Sequence, residues 1–377
     1  MDSARPKLLF IVTEDWFFRS HFLDRALAAK SAGFDVIVAA KEGADAATIR
    51  RHGLRFLPLP FDRRSLNPLH ELQTILAIRR LCRAETPAIQ HHVALKPIIY
   101  GSLIGAVLGG SRIVNAPVGM GFVYTASTGM TRWLRPLVTA ALRLLLNPKG
   151  SKVIVENRDD LRDMVAARLV RPEDAILIRG AGVDIGLFRQ SAEPPGPPLV
   201  VLAGRMLWDK GIAEFVEAAR LLTAEGIAAR FVLVGAPDEA NPRSASRPDL
   251  KAWAATGPVE WWGHRTDMPG VLAGCHIACL PSYREGLPKF LLEALASARP
   301  VVATDVAGCR EAVTPGDNGL LVPPRDARAL ADALRRLIVD KELRARFGQS
   351  GRRRAELEFS SESIAAQTLA VYRGLLP

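Results

Sequence analysis

The chain has no apolar run long enough to cross a membrane, which takes about 18 or more residues. The nearest candidate, 97–110 (PIIYGSLIGAVLGG), is too short and holds several glycines, and 134–146 is interrupted by Arg135 and Arg143. Cysteine is scarce: Cys82, Cys275, Cys279 and Cys309 are the only four. None forms a C-x-x-C pair and their flanks are apolar, so a disulfide framework is excluded and reduced, buried thiols are expected. His276 beside Cys275 is too little for a metal site. No short-period repeat or low-complexity tract occurs. The opening MDSARPKLLFIVTED reaches Glu14 and Asp15 soon after one short apolar run. It reads as a first strand rather than a signal peptide, and a cytosolic protein is expected.

What is present points to a globular chain of more than one domain. The 377 residues are 49% hydrophobic and 24% charged, a globular balance at a length that suits two cores. The formal net charge is +11, mostly from arginine. Nucleic acid, an anionic membrane face and phosphorylated ligands are the partner classes this admits. Arginine suits phosphate because its planar fork donates two bonds at once. A solvated arginine-rich surface is the plainer alternative.

The run KLLFIVT (7–13) predicts a buried parallel strand, a helix is expected from about Ser20 to Ala32 with Gly33 as its stop, and FDVIVAA (34–40) predicts a second strand. Strand, helix, strand implies a βαβ unit and a parallel sheet covered by helices. Further strands are expected at 88–92, 112–118, 152–157 and 175–180. EPPGPP (193–198) then breaks any regular element and marks a linker. The pattern restarts with strands at 199–205, 230–235, 276–282, 300–305 and 319–324 and a helix over 288–298. Two α/β domains follow, with ligands expected at the carboxyl ends of the strands and in a cleft between the domains.

Two segments carry the chemistry. In SYREGLPKFLLE (282–293), Glu285 sits in the loop after a strand, Pro288 suits the first helical position, and Glu293 lies off the helix's apolar stripe. A helix N-terminus offers free N–H groups to an anion. Carboxylates beside it accept ligand hydroxyls. The alternative pairs Glu293 with Lys289 and leaves Glu285 a surface residue. AGRMLWDKG (203–211) places Gly204, where the backbone can turn closely, and the cations Arg205 and Lys210 at a strand's carboxyl end. Two fixed cations and a helix N-terminus can hold a diphosphate without a metal, and the chain contains no D-x-D triplet.

GRMLWDKG, VLVG, PSYREGLPKFLLEALASARPVVATDVAG and NGLLVPPRD, in this order, resemble glycosyltransferase family 4, retaining enzymes of the GT-B fold. The resemblance implies an α/β GT-B architecture: two Rossmann-like domains, a cleft between them, and a C-terminal helix from about Ser361 crossing back to the first domain. It implies an acceptor-binding domain over 1–190 with 361–377 and a nucleotide-sugar domain over 191–360. It implies a hexosyltransferase in which Glu285 contacts the donor sugar and Glu293 the ribose. Gly286 and Leu287 would lend backbone N–H groups, with Pro288 beside them, and Arg205 and Lys210 would meet the diphosphate. No metal or other cofactor is expected.

In the first domain, TEDWFFRSHF (13–22), HHVALKPIIYG (91–101) and VNAPVGMGFVYT (114–125) look similar to a subgroup acting on polyprenyl-diphosphate-linked sugars in capsule, O-antigen or glycan assembly. Pro117 and Met120 depart from that pattern. The resemblance implies a histidine near the sugar, His91 or His92, expected at a strand end; a structural histidine is the alternative. Lys96, Gly119, Gly121, Trp16 and His21 are candidate acceptor contacts. The partners implied are a nucleotide diphosphate sugar, UDP-sugar favoured, a lipid-linked saccharide, and the anionic inner face of the cytoplasmic membrane. Arginines at 50, 51, 55, 63, 64, 79, 80, 83, 132, 135 and 143 would meet that face, with Trp16, Phe17, Phe18, Trp133 and Leu134 as anchors or else as core residues. The rival classes are a nucleotide-sugar 2-epimerase or hydrolase of the same fold, against which the GRMLWDKG and glutamate pattern argues, and a basic nucleic-acid-binding protein. No nucleic acid partner is expected, since basic residues are not clustered with exposed aromatics on one module.

Overall fold

Short runs of Val, Ile, Leu and Ala become strands buried on both faces, as all-parallel sheets require. The computed structural model describes residues 5–63, 65, 67–118, 129–239 and 241–376, with the backbone alone at 129–135 and 137. Two units of internal contacts emerge: Met1–Ala181 with Glu362–Pro377, and Gly182–Ser361. The expected boundary near 190 lies inside the second unit. Val183 N–H donates to Phe359 O at 2.8 Å and Ser361 N–H donates to Val183 O at 2.9 Å, so both crossing strands are stitched to unit 2 before they leave it.

Unit 1 holds strands β1 (Lys7–Glu14), β2 (Asp35–Lys41), β3 (Arg55–Pro58), β4 (Ile89–Val93), β5 (Arg112–Ala116), β6 (Lys152–Val155) and β7 (Ala175–Leu177). They form one parallel sheet in the order β3-β2-β1-β4-β5-β6-β7. Its helices are α1 (Asp15–His21), α2 (Leu23–Ser31), α3 (Ala46–Arg51), α4 (Pro68–Glu85), α5 (Leu95–Leu108), α6 (Gly129–Leu145) and α7 (Arg158–Ala166). The helix expected over 20–32 is two helices that break at Phe22 and start earlier. Asp15 opens the first, accepting from Trp16 N at 2.7 Å, while its other oxygen accepts from Gly43, Asp45 and Ala46 N.

Unit 2 holds β8 (Leu199–Ala203), β9 (Arg230–Val234), β10 (Val259–Trp261), β11 (Ile277–Leu280), β12 (Val301–Thr304) and β13 (Gly319–Val322), parallel in the order β10-β9-β8-β11-β12-β13. Its helices are α8 (Ile212–Ala224), α9 (Arg247–Thr256), α10 (Met268–Ala273), α11 (Lys289–Ala296), α12 (Ala307–Ala312), α13 (Ala327–Val339) and α14 (Lys341–Arg354). The last helix, α15 (Ser361–Leu375), buries Ile364 and Tyr372 in the core of unit 1, as the resemblance implies.

In each unit the strand order reverses once, between β1 and β4 and between β8 and β11. Ligands of open parallel sheets bind outside the carboxyl ends at such a reversal. In unit 2 that position is occupied by Gly204 and Arg205 after β8 and by Ser282 to Glu285 after β11. No helix among the described residues is long and apolar enough to cross a membrane.

Candidate functional site

The loops after β8, β9 and β10 and one face of α11 enclose a cavity of about 510 Å³. Gly204, Arg205, Gly235, Asp238, Phe290 and Glu293 line it, with His264 and Arg265 at the mouth of the β10 loop. One glycine permits its shape, and another supports the neighbouring Glu285 loop. A Cβ on Gly235 would stand 1.8 Å from Gly204 O, so only glycine lets the β8 and β9 loops come this close. A Cβ on Gly308, at the start of α12, would stand 2.2 Å from Gly286 O, and the Gly308 N–H donates to Glu285 O at 3.2 Å.

Glu293, the fifth residue of α11, lines this cavity. Its side chain is only 13% exposed, and burial pushes its carboxyl up to about 7, against a weaker opposing pull from Lys289. Lys289 Nζ stands 3.9 Å from Glu293 Oε1, so the expected alternative pairing exists only at the edge of ion-pair range. It coexists with the cavity position. Pro288 is the N-cap rather than the first helical residue, with ψ 117°. Extended backbone at this residue leaves the first N–H groups of α11 beyond it, and no side chain caps them. Leu287 and Pro288 are buried, Leu287 in the core, so only their backbone can serve a ligand.

Glu285 does not line the cavity. It is ion-paired with Lys210, and the Ser282 hydroxyl donates to the same carboxylate oxygen at 2.6 Å. Thr304 Oγ1 in turn donates to Ser282 O. The two loops are also joined by the Tyr283 N–H donating to Asp209 O at 2.9 Å. Arg205 keeps its guanidinium half exposed, 3.5 Å from Asp238. The two expected cations therefore differ: Arg205 faces the cavity, while Lys210 is committed to Glu285.

Sequence reasoning missed Ser282, Gly235, Asp238, His264, Arg265 and Gly308. A glycine after a strand in VLVG and the Gly-His-Arg after WW were the available signals. Asp238 and Ser282 carried none.

In unit 1 several expectations are corrected. His91 and His92 stand inside β4 rather than at its end, and both are fully buried. The strand lies between β1 and β5, so both its edges are paired, and helices cover the two faces of the sheet. His91 Nδ1 meets Tyr372 Oη at 2.6 Å and its ring stacks on Phe10, with Nε2 lacking a partner among the described residues. His92 Nδ1 lies 2.8 Å from Asn115 Oδ1 and its Nε2 3.1 Å from Gln90 Oε1; a neutral ring has one N–H and donates to one of the two. Burial holds both rings neutral, His92 down to about 4. Lys96 uses its three donors on Asp62 O, Ser65 O and Glu71 Oε1 at 2.7–2.8 Å, and so has none left for an acceptor phosphate. His21 stacks on Phe17, Trp16 is 41% exposed, and Phe18 is a core residue. Gly119 and Gly121 lie outside the described residues, as do the side chains of Trp133 and Leu134.

Comparison with known proteins agrees with this division. A family model for glycosyl transferases group 1 matches residues 197–340, and one for glycosyl transferase 4-like proteins matches residues 7–157. A curated relative, the N,N'-diacetylbacillosaminyl-diphospho-undecaprenol alpha-1,3-N-acetylgalactosaminyltransferase of Campylobacter jejuni, is 26% identical over 360 residues and is covered over 92% of either chain. The solved sucrose-phosphate synthase of Thermosynechococcus elongatus superposes with a TM-score of 0.80 at 21% identity, over 98% of this chain and 99% of its own. HepE of Anabaena, solved in complex with UDP, gives 0.79 at 18% identity, over 98% and 100%. One model spans strands β1 to β6 and the other β8 to β13; the chain is a glycosyltransferase of GT-B fold, its first half matching the glycosyl transferase 4-like model and its second the group 1 model.

Proposed function

We propose that the chain transfers a sugar, with retention of anomeric configuration, from a nucleotide diphosphate sugar to a saccharide carried on a polyprenyl diphosphate. The observation that carries the donor half is the buried Glu293 in a cavity shared with Gly204 and Arg205, beside the Lys210–Glu285 pair. A carboxylate removed from water, in a space of nucleoside size, suits the two hydroxyls of a ribose. The backbone N–H groups at the start of α11 and the Arg205 fork suit a diphosphate, and we take it to be held without a metal. UDP is favoured by the HepE complex. The acceptor half is supported by the Campylobacter relative, whose name specifies an undecaprenol-linked substrate.

In the reaction the bond between the anomeric carbon and the β-phosphate oxygen breaks. The acceptor hydroxyl oxygen forms its bond to that carbon from the same face, and its proton passes to the departing phosphate oxygen. Arg205, Lys210 and the α11 N-terminus stabilise the charge that develops there. Glu285, fixed by Lys210 and Ser282, accepts hydroxyls of the transferred sugar and sets its position.

The test is incubation of the full chain with UDP-, GDP- and ADP-sugars and a polyprenyl-diphosphate-linked saccharide. Product formation with the donor's anomeric configuration, and loss of about 10²–10³ in kcat for Lys210→Met, is the expected result. An inverted product, or no transfer with any donor, overturns the reading.

A further inference from the structure

We infer that the outer surface of α4, α5 and α6 is a docking face for an anionic lipid bilayer. The three helices cover one side of the unit 1 sheet. Ile78 and Cys82 of α4 pack with Ile104 of α5 on Leu9 and Ile11 of β1. Ile98 of α5 and Leu142 of α6 pack together on Val153 and Val155 of β6. Helices α1, α2 and α15 pack on the opposite side, against Leu8 and Phe10. Among the described residues, the exposed side chains on the outward faces of α4, α5 and α6 join none of their unit's core clusters.

Those faces carry Leu69, Leu72, Leu76, Leu103, Val107 and Leu144, six of the ten large apolar side chains exposed among the described residues. Leu69, Val107 and Leu144 are 72%, 66% and 75% exposed. On α4 the spacing 69, 72, 76, 80, 83 follows one helical face, and Arg80 and Arg83 continue the stripe begun by the leucines. Scattered exposed leucines need no explanation, but a clustered set does.

Charge names the occupant. The three helix sequences hold seven basic side chains and two carboxylates. Both carboxylates are already used: Glu71 by Lys96 and Tyr100, Glu85 by Lys7 and Arg55. Arg79, Arg80, Arg83 and Arg143 form no ion pair among the described residues. Elsewhere in unit 1, Arg50 and Arg55 are paired with Glu42 and Glu85. Leucines seated among unpaired arginines match acyl chains below anionic headgroups. A basic face for nucleic acid would instead need exposed aromatics, and the large apolar side chains exposed on it among the described residues are all aliphatic. Of the expected membrane anchors, Phe18 lies in the core, while Trp133 and Leu134 belong to α6 with side chains outside the described residues. The docking face gives the membrane-borne acceptor of the proposed reaction a surface to be met on, and to that extent rests on that reading.

The test sediments the full chain with vesicles of phosphatidylcholine alone and of phosphatidylcholine with equal phosphatidylglycerol. Binding to the anionic vesicles only, and its release by high salt, is expected. Arg80→Ser with Arg83→Ser should weaken it roughly thirtyfold, and Leu69→Ser with Leu72→Ser about tenfold or more. Val339→Ser with Leu357→Ser, exposed leucine-like positions in unit 2, should leave it unchanged. Unchanged melting temperatures exclude misfolding as the cause. The inference is overturned if the wild type ignores anionic vesicles, if the α4 variants bind as well as it does, or if the leucine substitutions instead dissolve a dimer of the chain. Donor-dependent transfer to a water-soluble acceptor analogue, measured on the same variants, reports on the proposed reaction separately and should not change.

Discussion

Lys210 and Glu285, on loops 75 residues apart in sequence, form an ion pair at the carboxyl end of the unit 2 sheet, and Ser282 donates to the same carboxylate oxygen at 2.6 Å. Removal of the cation therefore has two effects, loss of positive charge near the diphosphate and loss of the clamp on Glu285. Lys210→Arg keeps the charge with a different shape and should recover only part of the activity that Lys210→Met loses. Steady-state kcat and KM for donor, compared across both variants, check this. Equal rates in Lys210→Met and the wild type would remove the pair from the mechanism.

The raised pKa of Glu293 makes a prediction about stability. A carboxyl at about 7 in the folded chain against 4.5 in the unfolded one holds more protons when folded between those values. Stability then falls as pH rises from 4.5 to 7, and the cost persists above 7 at up to about 3 kcal/mol. Glu293→Gln should therefore melt higher than the wild type at pH 8, with the gap closing near pH 5. Parallel melting curves for the two proteins across this range decide it. A donor-site carboxylate that destabilises its own fold is expected where function requires it.

Gly308→Ala tests the support beneath the Glu285 loop. The added methyl would stand 2.2 Å from Gly286 O and 2.8 Å from Glu285 O, so the loop must move. A shift of about 1 Å in a positioning group costs on the order of 10²-fold in rate. The expected result is a large fall in kcat with nucleotide binding in the cavity largely kept, measured by calorimetry.

His92 should titrate at about pH 4, and His91 well below its ordinary value, because burial strips both rings of water. An imidazole-nitrogen NMR titration would show both neutral at pH 6. Titration of either near 6.5 would place that ring at a wet surface and restore it as a candidate sugar contact.

Much of this was legible in the chain's runs. The strands at 7–13, 34–40, 199–205 and 230–235 announce themselves because each is a short apolar segment ending at a glycine or a polar residue, and the parallel order follows from the helices between them. β3 and β10 are short, with Arg55 and Glu260 among their residues, and gave no such signal. Glu293, Arg205 and Lys210 stood out because carboxylate and cations sit at fixed distances from glycines in contiguous motifs. Asp238, Ser282 and Gly308 did not, since what matters about each is a neighbour far off in the sequence: Arg205, Glu285 and Gly286. His91, His92 and Lys96 misled for the same reason. A histidine on a central strand and a lysine on a helix look available until their buried partners, Tyr372, Asn115 and Glu71, are brought in by tertiary contacts.

The most direct test of the account is the melting temperature of wild type and Glu293→Ala with and without UDP, GDP and ADP, free of magnesium, each shift taken from that protein's own ligand-free value. A ligand bound only by the folded state raises it by linkage. The account predicts that one nucleotide, UDP first, stabilises the wild type and that the variant loses most of that shift. Equal shifts in both proteins, or none with any nucleotide in the wild type, would contradict the assignment of this cavity to the donor.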